Sequence, residues 1–90
     1  MNFEWDEQKR QTNIRDHAID FYRAAKIFRN PTYEDEDFID EFGEQRYRAI
    51  GQWEGNFMVV IYVWRGDSIR IISAWKASSY DREKYHTHIR

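Results

Sequence analysis

Apolar residues recur at helical spacing in the first third of the chain and with the two-residue period of strands in the rest. Phe3 to Trp5 is a short apolar start that suits an edge strand. Asp6 is an N-cap residue for a helix over about Glu7 to Asp16. That helix is unusually polar. Its clear aliphatic is Ile14, while Lys9, Asn13 and His17 fall at i, i+4 and i+8 and so share a face. Most helical stability comes from packing an apolar face. The pattern therefore leaves two alternatives: a solvated helix docked through Trp5 and Ile14, or a helix whose Lys9 face lines a site. Asp20 caps a second helix, Phe21 to Arg29, in which Phe21, Ala24, Ala25 and Phe28 form a core-facing stripe widened by Ile27. Asn30-Pro31 ends it, because proline disfavours helical geometry in the residue before it.

The remainder predicts a meander. Tyr33 to Ile39 is a weak, acidic strand, followed by a turn at Phe42-Gly43-Glu44. Arg46 to Gln52 follows, with Arg46, Arg48 and Ile50 on one face. Glu54-Gly55-Asn56 has hairpin chemistry. Phe57 to Trp64 is apolar on both faces, which predicts a central strand covered on both sides. After Arg65-Gly66-Asp67, the last strand runs from Ser68 to Lys76, with Ile69, Ile71, Ser73 and Trp75 on one face and Arg70, Ile72, Ala74 and Lys76 on the other. Ser78-x-x-Asp81 has capping-box spacing for a short terminal helix through Tyr85, with His86 to His88 expected to fray. The expected fold class is α+β: two N-terminal helices on one face of a four-stranded, mostly antiparallel sheet, then a short C-terminal helix. Residues 1–90 are read as a single domain.

Charge changes this picture. The stretch 32–45 holds seven acidic residues and no Lys or Arg, which leaves 14 basic against nine acidic residues elsewhere. A net charge of −2 is therefore compatible with a polyanion-binding face, predicted to lie away from the acidic hairpin. The chain has no cysteine, no polar-to-apolar leader pattern at its start and no run long enough to span a bilayer, so it reads as soluble and cytoplasmic. No glycine-rich phosphate loop, nucleophile elbow or EF-hand spacing occurs, and the reading includes neither a metal site nor a cofactor.

The constellation with chemical content is basic and aromatic. Arg46, Arg48, Arg70 and Lys76 stand on strands interleaved with Trp53, Trp64 and Trp75. Guanidinium groups grip phosphates while flat rings stack on bases, which suits single-stranded nucleic acid. Metal-free RNA cleavage needs a group to take the 2′-hydroxyl proton and groups to neutralise the pentavalent phosphate, roles that Lys, Arg, Tyr and His can share. Each residue also has a structural role open to it. Arg70 suits a cross-sheet ion pair, Trp75 suits the core, Tyr85 suits packing, and His17 suits a cap or hinge.

Phe3-Glu4-Trp5-Asp6-Glu7-x-Lys9, then Asn13, His17 and Phe21, is similar to the opening of BrnT-type toxins, and Ile71-Ile72-Ser73-Ala74, Ala77 and Glu83-x-Tyr85 resemble their closing segment. Arg46 and Gly51 fall where that family has Arg and Gly in the middle strand. The resemblance implies a RelE-like fold and a metal-independent endoribonuclease that arrests growth by cutting RNA. It also implies a neutralising partner, an antitoxin of the ribbon-helix-helix type, with operator DNA reached only through that antitoxin and no membrane. On it, the expected catalytic set is Arg46, Arg70, Lys76, Lys9, His17 and Tyr85, with Arg48, Trp53 and Trp75 contacting RNA. Two positions depart from the family: Ala18 stands where Gly is usual, and Trp75 where Arg commonly follows the Ala. Lys76 is next to the missing charge but points to the opposite face of an ideal strand, so it would substitute only where the strand ends or bulges. A second reading keeps the toxin fold and its partner contacts without cleavage. A third is a plain interaction module working through its acidic strand.

Overall fold

The computed structural model describes residues 1–89. Its elements are β1 (Asn2–Glu4), α1 (Glu7–His17), α2 (Phe21–Ala24), a 3₁₀ segment (Ala25–Arg29), β2 (Tyr33–Ile39), β3 (Gln45–Trp53), β4 (Asn56–Arg65), β5 (Ser68–Lys76) and α3 (Ser79–His88). The sheet has five strands in the order β1-β5-β4-β3-β2, not four. The added strand is the short apolar start, which pairs parallel to β5 through Phe3 and Ile69. The sheet is therefore mixed: a parallel edge on an antiparallel meander.

Alternation along β4 feeds two cores. Met58, Val60 and Tyr62 join Phe21, Ala24 and Ile27 beneath the N-terminal helical layer. Val59 and Ile61 join Tyr85 and Ala77 under α3. The strand is covered on both faces, as its two-sided apolar run demands. Tyr62 is buried, and burial together with the adjoining Glu34 carboxylate holds its hydroxyl far above the usual phenol range.

The predicted face assignment of β5 fails at one residue. Ile61 pairs with Ser73 but Tyr62 pairs with Ile71, so Ile72 is an extra residue in β5. This bulge reverses the alternation. Ile69, Ile71 and Ala74 share the α2 side, and Ile72 and Trp75 share the α3 side. Alternation cannot reveal a bulge when residues on both sides of it are apolar.

Three further expectations are corrected. The second helix is α-helical for one turn and then tightens to 3₁₀. The tail does not fray: α3 continues to His88, with the His86 ring 5.2 Å from Phe57 and the His88 ring 4.4 Å from Tyr33. And α1 does not dock through Ile14, which is 36% exposed. Its one buried residue is Asn13. The Asn13 amide donates to the carbonyls of Ile19 and Ala74, each at 2.9 Å, and accepts from the Ala74 N–H at 3.1 Å and the Ser73 hydroxyl at 3.3 Å. Because β1 pairs only as far as Arg70, the outer edge of β5 beyond it has no strand partner. Asn13 supplies one, and so the polar helix is held by an amide in place of an apolar stripe.

Gly51 sits under the 3₁₀ segment, where a Cβ would lie 3.0 Å from Ile27 Cβ and Thr32 Cγ2, so the close approach accounts for glycine there. Ala18 ends α1 at φ 57, ψ 27, its N–H donating to the Ile14 carbonyl at 2.9 Å. The left-handed bend is thus retained without glycine. An L side chain there costs roughly 1–2 kcal/mol, partly offset by the entropy glycine loses on folding. Ala18→Gly is expected to raise stability by about 0.5–1 kcal/mol, read as a higher urea midpoint at unchanged slope.

Candidate functional site

Five segments meet at one end of the sheet: the C-terminus of α1, the first turn of α2, the 54–56 turn into β4, the end of β5 and the start of α3. Between them lies an open cleft of about 460 Å³. His17, Arg23, Lys76 and Arg82 line it around a floor that includes Phe57, Met58 and Ala77. Each cation is placed by local rules. The left-handed bend at Ala18 stops α1 so that His17 stands at its exposed end. Asp20 caps α2 by accepting from the Tyr22 N–H at 3.0 Å, which sets Arg23 in the first turn. Lys76 is the last residue of β5, opposite Met58. The capping box between Ser78 and Asp81 fixes the start of α3, and Arg82 follows with its guanidinium 4.9 Å from the Phe57 ring centroid.

Charge is partitioned sharply between this end and the rest of the molecule. Arg10, Arg15, Arg46, Arg48, Arg65, Arg70 and Lys84 each pair with a carboxylate. Among the described residues, the basic side chains without one are Lys9, Arg23, Lys26, Arg29, Lys76 and Arg82. Among the described residues no carboxylate lines the cleft, so three unneutralised cations and an imidazole act on anything within it. Such an arrangement focuses positive potential and favours a phosphodiester. A neighbouring depression of about 410 Å³ shares His17 and contains Lys9 and Ser73, but Asp6 and Asp16 line it too and offset its charge.

The residues expected from the sequence divide by position. Lys76 and His17 meet in the cleft, and Lys9 lies beside it across His17. Arg46 and Arg70 do not line it. Arg70 is opposite Val63 while Lys76 is opposite Met58, five residues along β4 and so about 17 Å away. Arg70 is bound to Glu4 at 2.8 Å across the β1–β5 edge. Arg46 contacts Asp40 at 3.3 Å and lies over the Phe38 ring. The Glu44 and Phe42 N–H groups, with Arg46 after them, hold the Asp40 carboxyl below the usual range. Arg48 binds Asp81 at 2.8 Å and so ties β3 to the cap of α3.

Tyr85 is buried, and its hydroxyl donates to the Pro31 carbonyl at 3.0 Å, which ties α3 to the loop before β2. Trp75 is half-buried in the α3 core, with its ring centroid 6.2 Å from that of His17. Trp53 lies under Lys26 and Arg29. The acidic strand β2 is at the far edge of the sheet, with β3 and β4 between it and β5, and Asp35 faces Lys84 at 3.6 Å.

Sequence reasoning missed Arg23 and Arg82. A signal existed for both. Arg82 has no acid three or four residues away on its helix, and the acid three residues before Arg23 is Asp20, already occupied as a cap and by Arg10 at 2.9 Å. Among the described residues, no three His, Asp or Glu side chains converge as metal ligands, and no helix is long and apolar enough to cross a membrane.

Residues 5–81 match the family model for BrnT, the ribonuclease toxin of a type II toxin–antitoxin system. Among solved structures, the chain is similar to the Brucella abortus ribonuclease toxin BrnT, with 33% identity and a TM-score of 0.72 over 88% of this chain and 99% of that one. No curated protein matches. The fold with its parallel edge strand, the match over residues 5–81 and the likeness to a solved toxin agree, and the chain belongs to the BrnT family of ribonuclease toxins of type II toxin–antitoxin systems.

Proposed function

We propose that this chain is the toxin of a type II pair and that it cleaves RNA in the basic cleft without a metal ion. The observation that carries the reading is the set of unpaired cations, Arg23, Lys76 and Arg82, converging with His17 where no carboxylate is present. In transesterification the 2′-oxygen attacks the adjacent phosphorus, a 2′,3′-cyclic phosphate forms and the 5′-oxygen departs. His17 takes the 2′-hydroxyl proton and the Lys76 ammonium supplies one to the leaving 5′-oxygen. Arg23 and Arg82 hold the non-bridging oxygens as charge grows on them. Lys76 also provides the charge that Trp75 does not, since it ends β5 within the cleft while Trp75 packs under α3. Lys9 adds potential from the neighbouring depression. Arg46, Arg48 and Arg70, each held by a carboxylate, shape and stiffen the sheet around the site.

A cognate antitoxin of the ribbon-helix-helix type silences the toxin in this reading, and the pair reaches operator DNA through the antitoxin. The exposed, unneutralised cleft supports a need for such cover. The double variant Lys76→Gln/Arg82→Gln is expected to retain its fold and to cleave RNA at least 10²-fold more slowly, since removing a single transition-state donor already has an effect of about that size. Purified protein in chelator with a labelled RNA measures this. Undiminished cleavage by the double variant would place the site elsewhere. No cleavage by the wild type would leave a toxin fold that acts only through its partner.

A further inference from the structure

Among the described residues, two unpaired cations lie outside both the cleft and the neighbouring depression. Lys26 and Arg29 stand on the 3₁₀ segment, with Lys26 Nζ 5.3 Å and Arg29 Cζ 5.8 Å from the Trp53 ring centroid. In a 3₁₀ helix residues i and i+3 eclipse, so both project from one side about 6 Å apart along the axis. Arg23, three residues earlier, lines the cleft itself. Arg23 belongs to the α-helical turn just before, so the three cations follow one another at i, i+3 and i+6 from the cleft outward, and among the described residues no carboxylate pairs with any of them. Trp53 belongs to the hairpin whose turn, at Gly55 and Asn56, forms part of the cleft wall. The spacing of Lys26 and Arg29 is comparable with the step between successive phosphates of an extended strand.

We propose that Arg23, Lys26 and Arg29 form a phosphate track that carries single-stranded RNA flanking the scissile bond out of the cleft and past Trp53. This rests on the reading of the cleft as an RNA site. The track reads no sequence, since phosphate contacts position the strand without distinguishing bases. It supplies affinity for long, single-stranded RNA. An acidic partner segment would find the same charges, but the regular row of single cations suits a repeating polyanion better.

The test uses an uncleavable 2′-O-methyl RNA about twelve nucleotides long, a length within the range of single-strand site sizes. Its affinity is measured by fluorescence anisotropy across salt concentrations. For single strands, each lost phosphate contact lowers the slope of log K against log salt by about 0.7. Lys26→Gln/Arg29→Gln is expected to lower it by about 1.4, which corresponds to binding about 25-fold weaker at 0.1 M salt. Lys26→Arg/Arg29→Lys is expected to keep the wild-type slope. An unchanged slope in the neutral double variant would overturn the track while leaving the cleft intact. Equal losses in the neutral and charge-conserving variants would overturn it too, because packing on Trp53 would then be the cause. Retained RNA binding with lost antitoxin binding would make the row a partner surface. Failure of the wild type to bind the RNA at all would sink the cleft reading itself.

Discussion

His17→Ala is expected to lower the rate of RNA cleavage by about 10²- to 10⁴-fold, the range supplied by a positioned proton-transfer group. The loss falls on the single-turnover rate, while binding of uncleavable RNA changes little, because Arg23, Lys76 and Arg82 still face the phosphate. The position of His17 is what gives so exposed a side chain its proposed role. It ends α1, the left-handed Ala18 turns the chain immediately after it, and Trp75 flanks its ring. Single-turnover cleavage of a labelled RNA by wild type and variant decides the point. A variant that binds poorly but turns over at the wild-type rate would make His17 a binding residue, and one equal in both would remove it from the site.

Asn13→Ala has the largest expected effect on stability, a loss of about 3 kcal/mol. Four hydrogen bonds disappear, and the Ala74 N–H and the carbonyls of Ala74 and Ile19 lose their side-chain partner in a buried setting. For a domain of this size the melting temperature falls by about 15 °C. Because α1 has no other buried residue, the helix is also released from β5, and cleavage falls with it. Asn13→Asp separates the causes: it keeps an acceptor for the Ala74 N–H and loses both donors. Thermal unfolding of the three proteins gives the comparison. A drop under about 1 kcal/mol in Asn13→Ala would mean that the amide does not hold the helix.

These two residues also show how far the sequence could be read. The i, i+4, i+8 row of Lys9, Asn13 and His17 was visible as a polar face on a helix with little to pack. It left open docking through Trp5 and Ile14 or a Lys9 face lining a site; the helix instead docks through Asn13, and His17 of the same row lines the cleft. The meander, the caps at Asp6, Asp20 and Ser78 and the two-sided burial of β4 were legible because each follows from local periodicity or hydrogen-bond chemistry. The parallel pairing of β1 with β5 and the extra residue at Ile72 were not. The first depends on chain ends 66 residues apart, as in the contact of Glu4 with Arg70. The second is hidden because Ile71 and Ile72, on opposite faces, are both apolar.

The site was harder still. Arg46 and Arg70 stood out because they interrupt strands, yet such charges often have partners, and here Arg70 pairs with Glu4 across the ladder and Arg46 with Asp40 of the preceding turn. Which cations remain unpaired is a tertiary property, and it separates Arg23 and Arg82 from Arg46 and Arg70.

Induced expression in a bacterial host without a partner, wild type beside the Lys76→Gln/Arg82→Gln variant, with growth and total RNA integrity followed together, is the most direct measurement. The cleft account predicts growth arrest with RNA loss for the wild type alone. Arrest and RNA loss of equal extent in the folded double variant would contradict it.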